Sequence, residues 1–407
     1  MTFLLHGILN KNTRYSIEEP ILEKSRGIYL ALLSASHGLN HFYQLLIPVV
    51  IPKITAEYQL TNFVAGILLA CFSLTYSLLQ SPIGYLSKLF GRKRLLILSF
   101  IITSVSFLAI GFVDNLILFA LLFLFAGVGG SIYHPIGMPL LSEFYKENRG
   151  QASGFHQTGG AVGSFVAPLV IGPLVLLLNW RLATAVLSTL GIALSLIVWF
   201  VIVEPKQQVK EETKQQSKGA KTSVKMYSSS LVFIVAAMIA VTGLRGLDSF
   251  ANQYFIYGRG ITNFAEAAFL FSMLKIAGLF SSPLCGRLSD IFGRKKVLIV
   301  LIVIQSASIY ALTATPLSIL AFPCILFGFA SFGSLTITDA FLADITPREY
   351  VETIFGLHYT ASFLTSVYIP PIQGVIIDSY GFDASFLALS ALILFSIPIF
   401  LKVKTRF

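Results

Sequence analysis

The chain has 407 residues, of which 55% are hydrophobic and 12% charged, with 35 Phe and a formal net charge of +10. An ordinary water-soluble domain carries about twice that share of charge, so that class is excluded. The positive balance does not point to nucleic acid, because the cations are placed as in a membrane protein.

Residues 1–27 read as a cytoplasmic N-terminal tail. Their apolar stretch is broken by His6 and Asn10 and no small-residue cleavage site follows, so no signal peptide is expected. Twelve apolar runs follow, at about 28–52, 62–86, 95–112, 116–141, 151–178, 182–203, 230–257, 264–286, 297–315, 317–343, 352–378 and 384–401. Their length suits helices crossing about 30 Å of hydrocarbon, and none alternates with period two as a barrel strand would. Residues 204–227, with six Lys and three Glu among Gln and Ser, cannot bury a core and read as a cytoplasmic linker. The linker separates an N-terminal six-helix bundle, 28–203, from a C-terminal six-helix bundle with a short cytoplasmic tail, 228–407.

Of the 29 Lys and Arg, 24 fall in the tails and in the loops on the side shared by both termini. The opposite loops hold only Lys53, Arg181 and Arg259, and Arg245 and Lys275 lie inside spans. This bias predicts a multi-pass plasma-membrane protein with both termini in the cytoplasm. Cys71, Cys285 and Cys324 all sit in or beside spans, which speaks against a disulfide framework.

The halves repeat. Gly84–Arg94 (GYLSKLFGRKR) returns 202 residues later as Gly286–Lys296 (GRLSDIFGRKK), and nine of the fifteen positions from Gly84 to Leu98 are identical at that offset. His37-Gly-Leu-Asn40-His41-Phe42 in span 1 aligns with Arg245-Gly-Leu-Asp248-Ser249-Phe250 in span 7, and the same offset pairs Gln44 with Asn252. His156 in span 5 matches His358 in span 11, and Glu143 matches Asp344 to within one residue. Both copies run in the same direction, as in a parallel transporter repeat about an axis along the membrane normal.

The paired GxLxDxxGRK-like loops, the 6+6 layout and the basic linker resemble the major facilitator superfamily over nearly the whole chain. The His-Gly-Leu-Asn-His-Phe opening, Tyr133-His134-Pro135 and the Gly-rich start of span 5 look like its fosmidomycin-resistance branch of drug efflux transporters. The resemblance implies an all-α membrane protein of twelve transmembrane helices in two pseudo-symmetric bundles, working by alternating access. It implies a proton-coupled secondary transporter that exports a small organic anion or drug by antiport. A proton symporter importing a sugar, carboxylate or other metabolite is the alternative. A lipid-modifying membrane enzyme and a non-transporting sensor are more remote. The expected partners are protons, an anionic or amphiphilic small molecule and the lipid bilayer, with the protein a monomer.

His37, Asn40, His41 and Gln44 follow i, i+3, i+4, i+7 and form one helical stripe, repeated in span 7 by Arg245, Asp248, Ser249 and Asn252. Two readings stand: polar glue between helices, or a cavity lining. On the second, His37, Asn40, His41, Gln44, His134, Arg245, Asn252 and Lys275 bind substrate. Arg245 and Asp248, three residues apart, read either as a structural ion pair or as a switch in which a proton on Asp248 frees Arg245. Asp248 is the first coupling carboxylate, with Asp339 and Glu266 as further candidates. Pro135 and Pro139 predict either a kink or a break that bares carbonyls beside His134.

Lys88, Gly91, Arg92, Asp290, Gly293 and Arg294 in the repeated loops, together with His156 and His358, are the expected cytoplasmic gate. In the superfamily the acidic loop position looks like a latch between the halves, and Lys88 reverses its sign where Asp290 keeps it. Lys88 is expected to face Asp344, Glu349 and Glu352, and Asp290 to face Lys146 and Arg149. The histidines are spread over four spans without metal-ligand spacing, so neither a metal nor any cofactor is expected.

Overall fold

The computed structural model describes residues 12–145, 148–202, 228–347 and 350–403; side chains are described from residue 26 onward, except those of Lys88, Arg149, Gly150, Ser228 and Glu352. The linker at 204–227 and the contacts expected of Lys88, Lys146, Arg149, Glu349 and Glu352 therefore lie outside the described residues and side chains.

Every span forms a helix: α1 (Asn12–Tyr58), α2 (Asn62–Phe90), α3 (Arg92–Ile110), α4 (Leu116–Phe144), α5 (Arg149–Leu178), α6 (Trp180–Val201), α7 (Ser228–Gln253), α8 (Phe264–Ile276), α9 (Gly278–Phe292), α10 (Arg294–Ala314), α11 (Ala321–Ile345), α12 (Val351–Leu394) and α13 (Ser396–Lys402). Ten described stretches are long and apolar enough to cross a membrane, with α8 and α9 forming one of them. The last of these runs from Thr353 to Lys402, 50 residues, too long for a single crossing at 1.5 Å per residue. It holds two spans. Gly381 has φ 84°, a left-handed conformation that interrupts the helix, and the Gln373 amide comes within 3.4 Å of the Ser385 hydroxyl, so the chain has folded back. With α1 the total among the described residues is twelve. Helix α1 begins at Asn12, inside the stretch expected as a tail, because the polar helix formers before residue 28 extend the first span past its apolar part. Helix α4 runs unbroken through Pro135 and Pro139, so the break expected beside His134 does not occur.

Large apolar side chains point outward on many spans, among them Phe200, Leu177 and Ile117, the surface a lipid solvent requires. Aromatic residues such as Tyr43, Tyr133, Phe107 and Phe250 fill the interior. Glycine sets the closest helix approach. A Cβ on Gly163 would collide with the Gly38 carbonyl oxygen, and one on Gly159 with that of Ser34, so α5 packs backbone to backbone on α1. The first and last six spans meet along two seams. At α2–α12 a Cβ on Gly66 would collide with the Pro370 oxygen, and at α5–α8 one on Gly172 would lie 2.6 Å from the Ala268 Cβ.

The two faces of the bundle differ. One carries the repeated turns at Gly91 and Gly293, with φ 81° and 93°, and is called here the basic face. On it, Arg92 pairs with Glu143 and Arg294 with Asp344, the same bond made in each half by residues the repeat relates. On the opposite face Asp378 joins the halves. Its carboxylate accepts from the Asn62 and Phe63 backbone N–H groups, both at 2.9 Å, and from the Asn62 side chain at 2.7 Å. Helix α12 thus caps the start of α2. Gln253 of α7 donates to Asn62 at the same joint.

Gly163→Ala is expected to destabilise the protein by at least about 1–3 kcal/mol, the range for overpacking. Thermal unfolding in detergent measures this, with Gly154→Ala, where no atom lies within 4 Å of the added carbon, as the neutral reference. Asp378→Ala removes a cap worth about 0.5–2 kcal/mol. Hydrogen exchange at the Asn62 and Phe63 amides should accelerate roughly 2- to 30-fold by that range, and an unchanged rate would show that the carboxylate does not hold the cap.

Candidate functional site

Two polar constellations lie in the interior. The first belongs to α1, α4 and α5. His37 fills the notch left by Gly160, where a Cβ would lie 2.7 Å from its ring. Its Nδ1 is 2.8 Å from the His156 carbonyl oxygen, so Nδ1–H donates there and Nε2 keeps a lone pair. His41 Nε2 lies 3.1 Å away and donates to that lone pair. The His156 ring stacks on His37 with centroids 4.2 Å apart. The Tyr133 hydroxyl donates to the Leu33 carbonyl at 2.6 Å and accepts from His156 Nε2 at 2.8 Å. His134 stands edge-on to His37 and His41 at 5.2 and 5.6 Å, and its Nε2 is buried without a partner among the described residues.

This arrangement differs from two expectations. His156, expected at a gate with His358, belongs to the same imidazole group as His37. Spacing along the chain suggests no metal ligands, yet ligand nitrogens of His37, His41 and His134 all lie within 4.8 Å of one another. The stripe on α1 is also partly committed to protein. Asn40 donates to the Gly130 carbonyl at 3.3 Å, and Gln44 donates to Asn40 and to the Tyr76 hydroxyl at 3.2 and 3.0 Å.

The second constellation belongs to α7 and α8. Asp248 pairs with Lys275, not with Arg245 on its own helix. The Lys275 ammonium is almost fully buried, between the rings of Phe271 and Phe332, so the carboxylate on the facing helix is what compensates it. Arg245 stacks its guanidinium 5.1 Å from the centroid of Phe363, and its Nε has no hydrogen-bond partner among the described residues. Ser249 bonds back to the Arg245 carbonyl, and the fully buried Asn252 donates to the Val49 carbonyl of α1, so its amide ties two helices together. Aromatic contacts link the two constellations: Tyr76 lies 6.3 Å from His134 and 5.4 Å from Phe363. No sequence motif marks Tyr76 or Phe363. The one signal in the chain is that α2 and the second half must meet if the repeat closes on itself.

The remaining candidates sit elsewhere. Asp339 lies beside His358, with the nearest atoms 3.5 Å apart, and accepts from the Tyr359 hydroxyl at 3.1 Å. Glu266 is exposed in the first turn of α8, where Asn263 caps the helix. In the repeated loops Asp290 bonds Arg294, four residues on, at 3.1 Å. The pairs of Arg92 and Arg294 described above each stay within one half.

The sequence profile described as Major Facilitator Superfamily matches residues 31–284 and 263–406. The chain is 23% identical over 362 residues to the multi-drug resistance efflux pump PmrA of Streptococcus pneumoniae, covering 86% of this chain and 88% of the pump. It is 27% identical over 340 residues to the multidrug resistance protein MdtG of Klebsiella pneumoniae, covering 80% of each. It also matches a probable L-galactonate transporter of Escherichia coli, at 24% identity over 212 residues, 52% of this chain and 45% of that one. In three dimensions it resembles a bacterial homologue of the human lysosomal transporter Spinster, with a TM-score of 0.78, 19% identity and coverage of 92% and 96%. The nucleoside transporter NupG gives a TM-score of 0.76 at 12% identity, with 92% and 100% covered. Twelve spans, an internal parallel repeat and a profile match across nearly the whole chain agree: this is a multi-pass membrane transporter and belongs to the major facilitator superfamily.

Proposed function

We propose that the chain is a proton-coupled secondary transporter of the plasma membrane, both termini cytoplasmic, that carries a small organic anion or amphiphilic drug as a monomer. The observation that carries this reading is the buried Asp248–Lys275 pair beside an Arg245 whose Nε has no partner. A proton on Asp248 cancels its charge and leaves the Lys275 ammonium uncompensated in a low-dielectric seam. The seam then holds two cations and favours an anion from outside the protein. Loss of the proton restores the pair and removes that attraction, so proton and anion occupy the seam together through Lys275, the coupling of a symporter, whereas antiport would require the two to exclude each other. In this scheme Asp248 still titrates, but its partner is Lys275 and not the Arg245 expected from helical spacing.

Arg245 is the anchor for the anion. A guanidinium offers a planar pair of donors to a carboxylate or phosphonate, and its stacking on Phe363 holds that plane in place. His37, His41, His134 and Gln44 supply further polar surface around the cargo. The aromatic bridge of Tyr76 and Phe363 suits an amphiphilic molecule with an acidic end. Relatives named as multidrug efflux pumps support a drug-like cargo, and the one named for L-galactonate supports an anionic one.

In proteoliposomes, Asp248→Asn is expected to lower proton-driven transport at least about 100-fold while substrate counterflow persists, since counterflow needs no net proton movement. Full proton-driven transport in this variant would move coupling to another carboxylate, Asp339 first. Arg245→Lys keeps the charge but loses the two-point donor, and is expected to weaken binding of radiolabelled organic anions about tenfold, or about 1.4 kcal/mol. Unchanged anion affinity in Arg245→Lys and Arg245→Ala would remove Arg245 from the binding role.

A further inference from the structure

We propose that His37, His41 and His134 form a binding site for a divalent transition-metal ion of the zinc and cobalt class, with one coordination position left for an exchangeable oxygen ligand. This deepens the reading above, since it names a ligand class for the same seam, but it does not depend on proton coupling.

The geometry comes close to what such an ion needs. Imidazole nitrogens sit about 2.0–2.1 Å from zinc, which places two ligands of a tetrahedral ion about 3.4 Å apart. His37 Nε2 and His41 Nε2 are already 3.1 Å apart, and the nitrogens of all three residues lie within 4.8 Å. Small side-chain rotations of His134 close the remainder.

The surrounding bonds prepare the ligands. His37 donates Nδ1–H to the His156 carbonyl, which fixes the tautomer with a lone pair on Nε2, as backbone carbonyls do for metal-bound histidines. Gly160 admits the ring at that position, and the stacked His156 keeps it from turning. His134 Nε2 is buried with no hydrogen-bond partner, an unused donor–acceptor of the kind a bound ion would engage. His41 uses its Nε2 proton on His37, and shifting that proton to Nδ1 supplies the third lone pair.

Three neutral imidazoles bring no negative charge, and among the described residues no carboxylate belongs to the group. Arg245 stands across Tyr76 and Phe363, and its charge opposes a bare cation. The same charge favours a cation that carries an anionic oxygen ligand. The preferred occupant is therefore a metal ion completed by a carboxylate or phosphonate oxygen, which unites the imidazole group and the arginine in one recognition scheme. Nitrogen ligands of this softness select zinc, cobalt, nickel or copper over magnesium and calcium.

The test uses tag-free, full-length protein in detergent, titrated with Co2+. The wild type is expected to bind one equivalent with the visible ligand-field bands of a tetrahedral site, and Zn2+ should displace it. His41→Gln and His134→Gln should each weaken binding at least tenfold, while His358→Gln leaves it unchanged. Zn2+ should also raise the unfolding midpoint of the wild type with concentration and leave that of the two variants unmoved, which guards against misfolded samples. Absence of the bands in the wild type, or equal binding in both variants, overturns the proposal. The Co2+ titration needs no proton gradient and leaves Asp248 intact, so its failure overturns this site while proton coupling through Asp248, read by transport in Asp248→Asn, stands or falls separately.

Discussion

Hydrocarbon offers no hydrogen bonds, so every polar group inside this bundle needs a partner made of protein, water or cargo. That constraint explains why the polar residues of the spans gather instead of scattering. Asp248 compensates Lys275, Phe363 covers the face of Arg245, and Tyr133 and the His156 carbonyl hold the histidines. Against this background the atoms left over carry information. Arg245 Nε and His134 Nε2 are buried and unpartnered, and they lie at the two ends of one aromatic bridge. A transporter must keep such groups poised, since a fully satisfied interior would have nothing to offer a cargo.

The repeat builds equivalent scaffolding in both halves and then departs from it where the halves must differ. Arg92–Glu143 and Arg294–Asp344 are the same bond made twice, beside the same left-handed glycine turn. The histidine pair diverges: His156 stacks on His37, whereas His358 faces Asp339. The joint on the opposite face diverges further. Asp378 reaches across to cap α2, while its repeat mate is Leu176, which cannot accept a hydrogen bond, and α8 is capped by its own Asn263. One seam is therefore tied by a carboxylate and the other by packing. Conformers of a two-state protein differ by a few kcal/mol, so a single cap of that size weighs in their balance.

Small residues serve function through space. The glycine run at the start of α5 brings α5 onto α1 at Ser34, His37 and Gly38. Without the missing Cβ of Gly160 the His37 ring could not lie against His156. Close packing and site chemistry thus have one cause, and a substitution there would disturb both.

What the sequence determined by itself was the part that depends on periodicity and composition. Apolar run length set the spans, the 202-residue offset revealed the repeat, and the i, i+3, i+4, i+7 spacing placed His37, Asn40, His41 and Gln44 on one helical face. These are local properties, and a helix in lipid has few ways to disobey them. The tertiary structure alone decided which side chains meet across helices. Asp248 could reach Arg245 along its own helix, yet it pairs with Lys275, 27 residues on, because the packing of α8 presents an ammonium that has no other carboxylate partner among the described residues. Four histidines from three helices converge through helix rotation and the glycine contacts of α1 and α5, neither of which leaves a signature in spacing. Helical periodicity fixes the face on which a residue lies; only packing of the whole bundle fixes what that face meets.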